Sequence, residues 1–225
     1  MANTPRFTNS KGRADLAILA DMRQKDTTAT LEFEKADFRE VDLSHLDISD
    51  CYFSCCRFQQ VNFQGTNIER VTFDNCVFIE ADLSNAEAEG GYWCNCRFMG
   101  GKMIKLEGPR LNASHTMFYR VDASYAEFQA ADFHNTTFLN TDLSFAVCTA
   151  GVSLCEATFI ECNLHRAWFV SANLSSAYIA GCNLEYANFK HATLSPEFVT
   201  AIQTPGFLPI YGVDHLDGLS PLDER

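Results

Sequence analysis

Seven aspartates, Asp37, Asp42, Asp47, Asp82, Asp122, Asp132 and Asp142, stand apart by multiples of five residues. Grouped carboxylates can hold a metal or share a proton, and ten cysteines and six histidines add further ligands and bases. Neither chemistry has the spacing it needs. "CNC" at 94 to 96 is not zinc spacing, and the histidines are scattered. The chain has no glycine-rich phosphate loop, no "HExxH" and no "GxSxG". The expectation is a protein without catalytic residues, metal or cofactor, whose aspartates serve turns, because Asp and Asn side chains accept hydrogen bonds from nearby backbone.

The five-residue spacing belongs to the whole chain. "VTFDNCVFIEADLSNA", residues 71 to 86, places Phe73, Phe78 and Leu83 five apart, a period that suits neither a helix nor a flat strand. With the large residue called i, the series runs from Phe33 to Met103 with only Ala88 small, resumes from Phe118 to Cys148, slips by one and continues from Leu154 to Leu194. Position i−2 is small: Ala36, Val41, Cys51, Cys56, Val61, Cys76, Ala157, Cys162. Position i−1 is rich in Asp and Asn, as at Asp37, Asp82, Asn163 and Asn183. Short sides joined by regular turns make a coil, and stacked coils bury one continuous interior.

The units "ADLSN", "ANLSS" and "ANFKH" resemble the pentapeptide-repeat family over roughly residues 31 to 195. The resemblance implies an all-β, right-handed quadrilateral β-helix with four pentapeptides per coil, so that residues twenty apart stack. Phe38, Phe58, Phe78, Phe98, Phe118 and Phe138, all twenty apart, form the expected core column. About eight coils at the ~4.8 Å inter-strand spacing give a rod about 40 Å long. Cys51, Cys56, Cys76, Cys96, Cys162 and Cys182 fall at i−2, where they read as core filler rather than disulfide partners.

The ends and one interruption complete the domain organisation. Residues 1 to 30 form an N-terminal head with a helix predicted over 12 to 24, where Leu16, Leu19 and Ala20 share a face. Residues 31 to 195 form the solenoid. Residues 196 to 225 hold a short helix, with Ser195 as N-cap and Pro196 at its first position, and then the apolar "TPGFLPIYGV", read as a cap or a homodimer contact. The stretch "IKLEGPRLNASH" lacks the large i residue, which predicts a loop at about 104 to 115 displaying Lys105 and Arg110. "CTAGVSLCE", 148 to 156, adds one residue and predicts a bulge at a corner.

Charge bears on the partner. The net charge is −12, and residues 31 to 195 carry 21 acidic and 11 basic residues, which argues against direct nucleic-acid binding. No apolar run approaches a membrane span and the first residues lack the core of a secretory signal, so a bacterial cytoplasmic location is expected. Twenty-residue stacking puts Asp42, Asp82, Asp122 and Asp142 on one face, with Asn62 and Lys102 between them and Glu40 and Glu80 at the border. Quinolone-resistance-type members of the family are thought to mimic DNA and to bind DNA gyrase or topoisomerase IV, dimerising through their C-terminal ends. That resemblance implies a type II topoisomerase as partner. A general interaction scaffold, including a secreted bacterial effector, is the alternative.

Overall fold

A computed structural model describes residues 6–8 and 30–202. The predicted helix over 12 to 24 and the apolar tail after 203 lie outside the described residues. From residue 31 the chain winds as a four-sided β-solenoid of about eight coils, followed by one short helix, Pro196–Ile202. The four faces are named here by their inward columns, which begin at Phe33, Phe38, Leu43 and Ile48.

The second face is a continuous eight-stranded parallel sheet from Asp37–Arg39 to Tyr178–Ala180. Its register is twenty residues per coil, Phe58 beside Phe78 and Phe78 beside Phe98. It becomes 21 at Phe138 and Phe159, because the extra residue lies at the Ala150–Gly151 corner, where Gly151 has φ +84° and open space around it. The first face holds the strands Glu32–Glu34, Tyr52–Ser54, Thr72–Asp74 and Tyr92–Cys94, to which Arg6–Thr8 adds a parallel strand that the five-residue period does not announce. The third and fourth faces are held by single bridges between turns.

One backbone device repeats at every corner. The residue two after i adopts a left-handed conformation, as at Glu40, Glu80, Lys105 and Arg110 with φ from 51° to 57°. Its N–H then points along the rod to a carbonyl nineteen residues later, as from Glu40 to Gln59 and from Lys105 to Ser124. From Lys35 to Phe145 the cost of a left-handed side chain is met at each corner by a backbone hydrogen bond to the next coil.

The interior is aromatic. On the second face the Phe rings stack with centroids 4.3 to 5.1 Å apart from Phe38 through Phe159. The first-face rings of Phe33, Phe53 and Phe73 stack beside them and meet them edge to face. At the far end Ser195 caps the helix by accepting the Phe198 N–H, and Phe198 and Ile202 close the last coil over Phe189.

The expected loop at 104 to 115 is absent. The coil continues through it, with the Gly108 N–H bonded to Glu127, Arg110 to Gln129 and Ala113 to Asp132. Gly108 and Ala113 occupy the i position, and Leu106 and Leu111, fully buried at i−2, fill the volume they leave. A Cβ on Gly108 would lie 3.2 to 3.3 Å from Leu106, Leu111 and Phe128. Large and small have exchanged places while the volume of the coil is kept, which close packing tolerates.

The cysteines do more than fill space. Cys56, Cys76 and Cys96 donate from Sγ to the carbonyls of Phe33, Phe53 and Phe73, and in the next two coils Thr116 and Thr136 make the same bond to Trp93 and Ala113. All ten cysteines are free thiols. Burial pushes the Cys76 thiol up, and pushes Cys148 up to about 12. At neutral pH only exposed Cys55 and half-buried Cys155 should react quickly with a thiol reagent, while unfolding under alkylating conditions should reveal ten. A total near four would mean that three disulfides exist.

Candidate functional site

The third face brings Asp42, Asn62, Asp82, Lys102, Asp122 and Asp142 into one column of adjacent bridges, continued by Asn163 and Asn183. Lys102 stands between Asp82 and Asp122, so the stripe is two acidic segments. Glu40 and Glu80 line the neighbouring corner column, with Gln60 between them and bonded to Glu80 at 2.8 Å. Lys105 and Arg110 do not join this group. Lys105 is on the edge between the third and fourth faces, and Arg110 is on the next edge, paired with Glu89.

The aspartates serve the turns. The N–H two residues on donates to Oδ1 of Asp42, Asp82, Asp122 and Asp142 at 2.8 to 3.1 Å. Hydrogen bonds from the Ser44 hydroxyl and N–H, and from Asn62, hold the Asp42 carboxyl below the usual carboxylate range. Asn62, Asn163 and Asn183 make the same turn bond without charge. The turn thus accepts Asp or Asn alike and closes at Lys102 without either, so the charge is a separate choice.

The fourth face shows that choice more plainly. Its outward column reads Asp47, Asn67, Glu87, Glu107, Glu127, Val147, Trp168 and Asn188. Glu87, Glu107 and Glu127 are exposed, and among the described residues the turn bond is made from Asp and Asn and from none of these three. A glutamate is one methylene too long for it, so the turn does not explain them. Their twenty-residue spacing was the signal in the sequence. Among the described residues no group of three or more His, Cys, Asp or Glu is placed to hold a metal.

The second face differs outwardly. Ile79, Met99, Tyr119, Leu139 and Ile160 follow one another in register along its outside. The rod thus has two acidic faces side by side and, along the second face, an apolar column.

A model of pentapeptide repeats matches residues 56–91, 148–175 and 172–195, in eight copies. These stretches are pentapeptide repeats. Solved structures of pentapeptide-repeat proteins resemble the chain at low identity. One from the thylakoid lumen of Arabidopsis thaliana is 19% identical, covering 46% of this chain and 72% of that one with a TM-score of 0.44. HetL of the cyanobacterium Nostoc, described as involved in heterocyst differentiation regulation, is 15% identical over 83% of this chain and 92% of its own, TM-score 0.40. Full-length QnrB1, a plasmid-mediated fluoroquinolone resistance protein, is 19% identical over 81% and 83%, TM-score 0.29. A search of curated proteins finds no match.

Proposed function

We propose that this pentapeptide-repeat rod is a non-enzymatic binding protein whose third and fourth faces dock on a basic surface of a partner protein. The observation that carries the reading is the column Glu87, Glu107, Glu127, which the turns do not require and which lies beside Asp82, Asp122 and Asp142. Carboxylates one coil apart, at ~4.8 Å, form a rigid anionic array. Duplex DNA is likewise a regular anionic rod, with one charge per ~1.7 Å of axis, so a channel built for DNA offers the charge sign that these faces would meet.

A type II topoisomerase, DNA gyrase or topoisomerase IV, is accordingly the proposed partner, with regulation or protection of that enzyme as the outcome. Free buried thiols suit a reducing cytoplasm. Among the described residues no helix is long and apolar enough to cross a membrane. The test is a gyrase supercoiling assay with and without a fluoroquinolone. The wild-type rod should inhibit supercoiling or restore it in the presence of the drug, and the Glu87→Lys/Glu107→Lys variant should lose most of that effect. No effect from the wild type at any concentration would leave the general scaffold as the better reading.

A further inference from the structure

Two furrows meet on the edge between the third and fourth faces. One, of about 310 Å³, is lined by Lys105, Glu107, Tyr125, Glu127, Phe145 and Val147. The other, of about 570 Å³, is lined by Phe145, Val147, Arg166, Trp168, Tyr186 and Asn188. Phe145 and Val147 belong to both, so one groove follows the rod axis for four coil steps, about 19 Å.

Its walls are aromatic. The Tyr125 and Phe145 rings stack 4.7 Å apart, and the Arg166 guanidinium lies 5.7 Å from the Phe145 ring and 5.3 Å from that of Tyr186. Trp168 is 53% exposed and Tyr125 48%. Tyr125, Phe145 and Tyr186 occupy left-handed corners with φ of 59° to 61°, which bulky side chains disfavour. Earlier coils fill the same corner with His45, Gly65, Asn85 and Lys105, so coil geometry does not ask for an aromatic residue there. The adjoining outward column passes from Glu87, Glu107 and Glu127 directly into Val147 and Trp168. Carboxylates lead into an apolar seat.

We infer that this groove anchors a segment of a partner protein in which a bulky apolar side chain is flanked by lysine or arginine. The apolar side chain rests on Phe145, Val147 and Trp168. The cation points towards Glu107 and Glu127, whose two carboxylates outweigh the single ammonium of Lys105 at that end, whereas Arg166 occupies the other. Single-stranded nucleic acid also stacks on aromatic rings, but its phosphates would meet those glutamates. The inference rests on the protein-binding reading above and adds an anchor to it, of the kind that carries much of the energy at protein interfaces.

The test uses the full chain and two fluorescein-labelled, end-capped peptides, (Lys-Leu)4 and (Lys-Ser)4, followed by fluorescence anisotropy at low salt. Both peptides have the same charge, so their ratio isolates the anchor. The wild type should bind (Lys-Leu)4 at least about tenfold more tightly, as expected for partial burial of a leucine. Phe145→Ala and Trp168→Ala should each bring the ratio towards one while leaving (Lys-Ser)4 binding unchanged. Equal binding of the two peptides by the wild type, or a ratio that survives both substitutions, overturns the anchor alone. Failure of both peptides to bind overturns the acidic-rod reading with it. Preference for a labelled oligothymidylate over (Lys-Leu)4 overturns the assignment of a protein partner.

Discussion

Replacement of Phe78 by alanine is expected to cost about 3 to 5 kcal/mol of stability. The ring is 1% exposed and lies between two parallel rings, 4.7 Å from Phe58 and 4.3 Å from Phe98, with Phe73 edge-on at 5.0 Å. The rigid inter-coil ladder limits collapse around the vacancy, so the cavity remains. Ile79, the next residue, points out of the second face and is half-buried. Its alanine variant should lose less than about 1 kcal/mol. Denaturant midpoints of the two variants check the inward phase; equal losses would reverse it.

The second large effect is expected at Gly101. Its φ is +91°, and a Cβ there would fall 2.1 Å from the Ala81 carbonyl oxygen and 2.9 Å from the Ala81 nitrogen, both backbone. The obstruction cannot rotate away, since the Ala81 carbonyl accepts the Lys102 N–H in the ladder between coils. Left-handed strain and overpacking together should make Gly101→Ala cost at least about 3 kcal/mol. Gly100 provides the comparison. At φ +71° it sits at a corner that Glu40, Gln60, Glu80 and Arg120 also occupy at positive φ, and a Cβ would meet only Glu80 Cγ at 3.7 Å. Gly100→Ala should cost only the left-handed strain, about 1 to 2 kcal/mol. Thermal or denaturant unfolding of the two neighbours distinguishes a close backbone approach from a general intolerance of side chains.

Most of the fold was legible because the solenoid repeats one local rule. A large residue every five positions fixes four faces, and phenylalanines twenty apart fix the stacking, as the pairing of Phe58 with Phe78 and Phe98 bears out. The same rule failed at 104 to 115, where it looked for bulk at one position while the core conserves volume across two. Leu106 and Leu111 supply what Gly108 and Ala113 lack. Counting by that rule puts Lys105 and Arg110 on a loop, whereas they stand on separate edges of an unbroken coil.

The surface was less legible than the core. The column of Asp42, Asp82, Asp122 and Asp142 follows from twenty-residue counting, and their bonds to the next turn show why charge there is an ambiguous signal. Glu87, Glu107 and Glu127 carry the clearer message. The aromatic edge was hidden further by the extra residue near Gly151, which moves Arg166 and Tyr186 out of the frame of Tyr125 and Phe145.

The central claim is that charge placed on two adjacent faces, rather than net charge, directs the rod to its partner. Its most direct test is equilibrium binding to DNA gyrase over a range of salt, comparing wild type with two charge-matched double reversals. Glu87→Lys/Glu107→Lys lies on the fourth face, and Asp74→Lys/Glu156→Lys lies on the first face and its corner, away from both acidic columns. Wild type should bind tightly at low salt and more weakly as salt rises, the first pair should show a marked loss of affinity and of salt sensitivity, and the second should behave nearly as wild type. Equal losses from both pairs, or no binding by the wild type at low salt, would contradict the central claim.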